Sequence, residues 1–137
     1  MLKFQDKVAL VTGSGTGIGK AIATKFVENG ASVIILGRRK EPLQEAATEL
    51  EGKIPQGVNA TVKIFAGVDV ADETAMNEMF DTLKNEGTNV DYIINNAGVS
   101  GPVTCFANSP LDEFKSTIAR SEEHTSELQS PCNLVCR

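Results

Sequence analysis

Between residues 7 and 98 the apolar residues change period repeatedly, and this alternation constrains the fold more than any other feature of the chain. Val8-Ala9-Leu10-Val11 is a continuous apolar run stopped by Thr12-Gly13, the pattern of a strand covered on both faces. Ile18, Ile22 and Phe26 then recur at four-residue intervals, a helical spacing closed by Asn29-Gly30. Ser32 to Leu36 is a second apolar run, rich in β-branched residues. Leu43, Ala46, Ala47 and Leu50 fall at i, i+3, i+4 and i+7 of a second helix, with Pro42 near its first turn, where a missing N–H costs nothing. Val62 to Val70 reads as a third strand. Asp72 then caps a helix with the stripe Met76, Met79, Phe80 and Leu83, whose methionines are expected to be core packing. Val90 to Ile94 is a fourth strand ending at Asn95-Asn96-Ala97-Gly98, and Pro110 to Ile118 starts a further helix with Leu111, Phe114 and Ile118 on one face.

Strand and helix in strict turn call for a parallel sheet, because right-handed crossovers lay the helices on its two sides. The expected class is α/β, a Rossmann-type doubly wound parallel sheet with about four strands in the order 3-2-1-4.

In that scheme the connection between the first strand and the first helix carries the most information. Thr12-Gly13-Ser14-Gly15-Thr16-Gly17-Ile18-Gly19 occupies it. Side chains at this joint would block the turn, the approach of a phosphate to backbone amides, or the contact of helix with strand. The helix N-terminus adds partial positive charge, so the joint suits the pyrophosphate of a dinucleotide. The spacing is T-G-x-x-x-G-x-G on Gly13, Gly17 and Gly19, not G-x-G-x-x-G, because the sixth position from Gly13 is Ile18. A glycine-rich connection without a ligand is the plainer alternative.

Asn95-Asn96 closes an apolar run with two amides that need partners if buried. Taken with Thr12 to Gly19, this stretch resembles the short-chain dehydrogenase/reductase family over about residues 5–118. The resemblance implies that Gly13, Gly17 and Gly19 shape a pyrophosphate turn lined by Ser14, Thr16 and Ile18. It also implies that Asp69 hydrogen-bonds the adenine amino group with Val70 beside the ring. Asn96, Ala97 and Gly98 would border the adenosine ribose and brace the central strands.

Cofactor choice turns on the end of the second strand. An enzyme that prefers NAD usually places a carboxylate there for the ribose 2′-OH. Gly37 holds that position, followed by Arg38-Arg39, and a guanidinium suits a 2′-phosphate. NADP(H) is therefore expected over NAD(H). The opposing considerations are a merely solvated basic corner at Arg38, Arg39 and Lys40, and Thr16 where many NADP-using relatives carry a basic residue.

The family's chemistry uses a tyrosine acid/base, a lysine four residues on, and a serine on the substrate oxygen. The one tyrosine, Tyr92, has Asn96 four positions later, so no catalytic residue is assigned and Tyr92 is read as core. Arg120 to Ser130 resembles the in-frame translation of a common sequencing-library adapter, and Pro131 breaks any helix. Residues 1–119 are thus expected to be the N-terminal part of an NAD(P)-binding domain, and residues 120–137 an artefactual, unstructured tail. His124, Cys132 and Cys136 in that tail fit zinc poorly, and no metal is expected.

The reading is an oxidoreductase acting on a small alcohol or carbonyl, represented by a fragment itself inactive. The alternative is a non-catalytic dinucleotide-binding or interaction module. A net charge of −5 without a basic stripe argues against nucleic acid. No apolar stretch approaches the roughly 20 residues that span a bilayer, and a cytoplasmic protein, homo-oligomeric when intact, is expected.

Overall fold

A computed structural model of the chain describes residues 2–98, 111–113 and 115–119. Its elements run β1 (Val8–Thr12), α1 (Gly17–Glu28), β2 (Ser32–Gly37), α2 (Lys40–Glu51), β3 (Val62–Ala66), α3 (Glu73–Asn85) and β4 (Tyr92–Ile94). The four strands are parallel in the order β3-β2-β1-β4, the winding expected from the sequence. Val8 pairs with Ser32 and Thr12 with Leu36, so β1 and β2 end together at one edge of the sheet.

Alternation along β2 explains why its run is apolar throughout. Val33 and Ile35 join Val11, Ala23, Val27, Leu43 and Leu50 in a core under α1 and α2. Ile34 and Leu36 face the other way, to Leu10, Val70, Met76, Met79 and Leu83 under α3. A strand sandwiched between two helical layers has no face left for polar residues.

Three expectations shift in detail. In α1 the buried stripe is Gly19, Ala23 and Val27, one position on from Ile18, Ile22 and Phe26. Small residues let the helix lie close on the sheet, while Ile22 and Phe26 pack at the flanks and Ile18 stays 73% exposed. The third strand stops at Ala66, four residues before Val70. Gly67 turns the chain at a φ of +79°, which glycine adopts without strain, and the Gly37 carbonyl accepts both the Gly67 and Val68 amides. Residues 68–70 therefore cross the carboxyl end of the sheet. The fourth strand begins at Tyr92, because the Asp91 carboxylate is engaged with the Val8 amide at 2.9 Å and the Lys7 ammonium at 3.0 Å.

Helix α3 follows its expectation closely. Asp72 accepts from the Ala75 amide as N-cap, and Met76, Met79 and Leu83 are buried. Tyr92 packs against Phe4 and Phe26 with ring centroids 5.5 and 5.6 Å away. Residues 111–113 and 115–119 are helical, but Leu111 and Ile118 are exposed, so the expected apolar face has no cover among the described residues. Phe114, Pro110 and the whole of 120–137, with the adapter-like stretch, His124, Cys132 and Cys136, lie outside the described residues.

Candidate functional site

The carboxyl ends of β1, β2 and β4 meet the opening of α1 around a cleft of about 490 Å³. This is where a doubly wound sheet leaves room for a ligand, since α1 leaves β1 on one face while α3 leads to the neighbouring β4 over the other. Gly13, Thr16, Gly17 and Ile18 form its floor on the α1 side. Leu36, Gly37, Arg38 and Arg39 form the wall beyond β2, Val68, Asp69 and Val70 the wall beyond β3, and Asn96, Ala97 and Gly98 the wall beyond β4.

The glycines serve different ends. A Cβ on Gly13 would stand 2.8 Å from the Ala97 Cα, and one on Gly19 would stand 2.5 Å from both the Gly13 carbonyl oxygen and the Asn96 amide nitrogen. Both positions are required by the approach of β4 to the turn. Gly17 differs: nothing lies within 4 Å of an added Cβ, but its φ of +58° belongs to the left-handed region. Its open side faces the cleft. Gly15 packs on Pro42, with 3.2 Å to that ring from an added Cβ.

The first amides of a helix have no acceptor within the helix. In α1 the N-cap residue Thr16 makes no side-chain bond to them, and no carboxylate stands in the first turn. Uncapped donors at the floor of a cleft, with the positive end of the helix dipole behind them, favour an anion.

Asn96 locks the turn from below. Its side-chain amide donates to the Thr12 carbonyl at 3.1 Å and the Gly13 carbonyl at 3.2 Å. In return the fully buried Thr12 hydroxyl accepts from the Asn96 and Ala97 amides, both at 2.9 Å. Bracing of the central strands by Asn96 is therefore visible in the bonds themselves. Asn95 contributes no such bond through its buried Oδ1, which has no partner.

One lining candidate stands elsewhere than expected. Ser14 is completely buried and takes no part in the cleft wall, since its hydroxyl is turned inward to Val11 and Leu36. Gly19, expected to shape the turn and not to line it, lies beneath the wall against Gly13 and Asn96. Gly13, Thr16, Gly17, Ile18, Arg38, Asp69, Val70, Asn96, Ala97 and Gly98 are all brought to the cleft. Sequence reading overlooked Thr12 as a latch, and Gly15, Leu36, Pro42 and Leu43 as lining. Thr12 carried a signal, a lone hydroxyl ending an apolar run one residue before the glycine turn.

The charges are distributed unevenly. Arg38 and Arg39 are exposed on one rim and make no salt bridge among the described residues. Across the cleft the Asp69 carboxylate accepts the Ala71 amide at 3.0 Å. A phosphate can therefore meet cations beyond β2, and a neutral N–H donor can meet the carboxylate beyond β3. Among the described residues no cluster of three metal-ligating side chains exists, and no helix is long and apolar enough to cross a membrane.

A family profile described as short chain dehydrogenase matches residues 7–123. The chain belongs to the short-chain dehydrogenase/reductase family, a family of oxidoreductases. It is 40% identical over 113 residues to the uncharacterized oxidoreductase YvaG of Bacillus subtilis, covering 82% of this chain and 39% of that protein. It is 39% identical over 98 residues to an NADP-dependent (R)-specific alcohol dehydrogenase of Lentilactobacillus kefiri, covering 72% of this chain and 36% of that one. The crystal structure of an NAD⁺-bound xylitol dehydrogenase superposes with a TM-score of 0.82 at 27% identity, over 93% of this chain and 47% of the other. The chain thus spans well under two thirds of the length of these relatives.

Proposed function

We propose that the cleft binds a nicotinamide dinucleotide and that the chain is the cofactor-binding part of an oxidoreductase interconverting an alcohol and a carbonyl. The observation that carries this reading is the uncapped opening of α1 on a cleft flanked by two exposed arginines that make no salt bridge among the described residues. The pyrophosphate would lie on the amides from Gly13 to Gly19, with Gly17 leaving its approach clear. Asp69 would accept the adenine amino group, Val70 would flank the ring, and Asn96 to Gly98 would border the ribose. A bound nicotinamide supplies the hydride chemistry, and the residues of this chain bind and orient it.

The reading favours NADP(H) over NAD(H). No carboxylate stands at Gly37 to receive a ribose 2′-OH, whereas Arg38 beside it offers a fork of donors to a 2′-phosphate. Named relatives supply both precedents, one NADP-dependent and one NAD⁺-bound. The test is a titration of NADPH and NADH followed by cofactor fluorescence, with NADPH expected to bind more tightly. Equal or reversed affinities would remove the preference.

Binding without chemistry is the second reading, and Tyr92 favours it for this chain taken alone. The single tyrosine packs edge-on against Phe4 and tilted against Phe26, and is not among the residues lining the cleft. No Tyr-x-x-x-Lys occurs among the 137 residues, so the purified chain is expected to bind cofactor and transfer no hydride.

A further inference from the structure

Between Gly13 and Gly19, Ser14 carries a wholly buried hydroxyl, while Thr16, Gly17 and Ile18 are exposed. Its Oγ donates to the Val11 carbonyl at 2.7 Å and accepts from the Leu36 amide at 3.2 Å. Immediately before it, the Gly13 amide donates to the Leu36 carbonyl at 3.0 Å. Both backbone polar groups of Leu36 are thus tied to the turn, one through backbone and one through a side chain. Leu36 precedes Gly37 and Arg38, the end of β2 that faces the cleft. Ser14 does not have the positive φ of its neighbours Gly13 and Gly17, so alanine could follow the same backbone path. The hydroxyl is not needed for the bend. What it adds is a fixed offset between the turn and the arginine-bearing end of β2.

We propose that Ser14 is a positioning residue for cofactor discrimination. Through Leu36 it holds Arg38 at a set distance from the pyrophosphate turn, so that one ligand can engage both. This inference rests on the dinucleotide reading and deepens it. A ligand with a 2′-phosphate must satisfy the turn and the arginine together, whereas one without it needs only the turn. Loosening the link should therefore weaken NADPH more than NADH. A purely structural role would lower melting temperature and weaken both cofactors alike.

The experiment measures NADPH and NADH dissociation constants by fluorescence for the 137-residue chain and for Ser14→Ala, with circular dichroism confirming the fold. The NADPH-over-NADH preference is expected to fall about three- to tenfold, the scale of one hydrogen bond's net contribution. If Ser14→Ala does not fold, Ser14→Cys keeps a weak donor on a somewhat bulkier side chain and is read in the same way, with a smaller fall expected. A folded variant whose preference stays within about twofold of the starting chain overturns the inference, given that scale. A starting chain that binds neither cofactor overturns the dinucleotide reading itself, an outcome visible before any variant is made.

Discussion

The Thr12 hydroxyl and the Asn96 amide lie 2.9 Å apart, joining the residue before the glycine turn to the second residue beyond β4. The same oxygen accepts the Ala97 amide at 2.9 Å, and Asn96 answers through its side chain to the Thr12 and Gly13 carbonyls. Two strands adjacent in space, but more than eighty residues apart in sequence, are thereby clamped where the cleft opens.

Removing the acceptor while keeping the shape tests the clamp. Thr12→Val leaves both amides without their partner in a part-buried place, and is expected to cost about 1–3 kcal/mol in urea unfolding. Thr12→Ser keeps the oxygen and should lose well under half of that. A loss in Thr12→Ser as large as that in Thr12→Val would mean that the methyl group holds the junction as much as the hydroxyl does.

The two asparagines should part company. Asn96→Ala deletes two hydrogen bonds and is expected to destabilise by about 1–3 kcal/mol, whereas Asn95→Ala removes an oxygen that has no partner and should cost less than about 0.5 kcal/mol. Matching losses in thermal or urea unfolding would contradict the assignment of the bracing to Asn96.

The winding and the position of the cleft were legible because each rests on local signals, and the strand order followed from the usual doubly wound scheme. Buried strands read as apolar runs, and glycines crowd the one joint where backbone must be bare. Less legible was the stripe of α1, since Ile18 and Phe26 are larger and more apolar than Gly19 and Ala23, although the smaller residues face the sheet. Size decided burial there, and hydrophobicity did not. The end of β3 was hidden for a similar reason. Val68 and Val70 continue an alternating pattern, and only Gly67 in a left-handed conformation marks the turn. The inward rotation of the Ser14 hydroxyl depends on the register of β1 with β2, which no local pattern carries.

Gly19 and Gly17 should fail differently. Gly19→Ala forces a methyl to within 2.5 Å of the Gly13 carbonyl oxygen and the Asn96 side chain, and is expected to cost about 3 kcal/mol of stability. Gly17→Ala meets no atom and pays only for its φ of +58°, about 1–2 kcal/mol. Unfolding free energies in the reverse order would contradict the packing described for the turn.

Acid should loosen the start of β4. Burial alone would raise the Asp91 carboxyl, but the bond from the Val8 amide and the charge and bond of Lys7 outweigh it and hold it below the usual carboxylate range. A carboxyl lowered on folding contributes stability above its unfolded value and loses it as pH falls through the folded one. Melting temperature should therefore fall on acidification from about pH 5 to pH 3, and Asp91→Asn should flatten that part of the profile. A profile unchanged by the substitution would assign the acid sensitivity to other carboxylates.

Arg38 is expected to act on one cofactor only. Arg38→Ala should weaken NADPH about tenfold and leave NADH within about twofold, the loss of one exposed charge-assisted contact. Parallel weakening of both would place the guanidinium on the shared diphosphate and not on the 2′-phosphate.

The most direct measurement is a fluorescence titration of NADPH into the 137-residue chain beside its Gly17→Val variant. The variant fills the clear approach to the α1 amides, where an added Cβ meets no protein atom within 4 Å. Saturable binding by the chain, lost in the variant while its circular dichroism persists, is the predicted result. No saturable binding by the chain, or binding undiminished in the folded variant, would contradict a diphosphate seated on that turn.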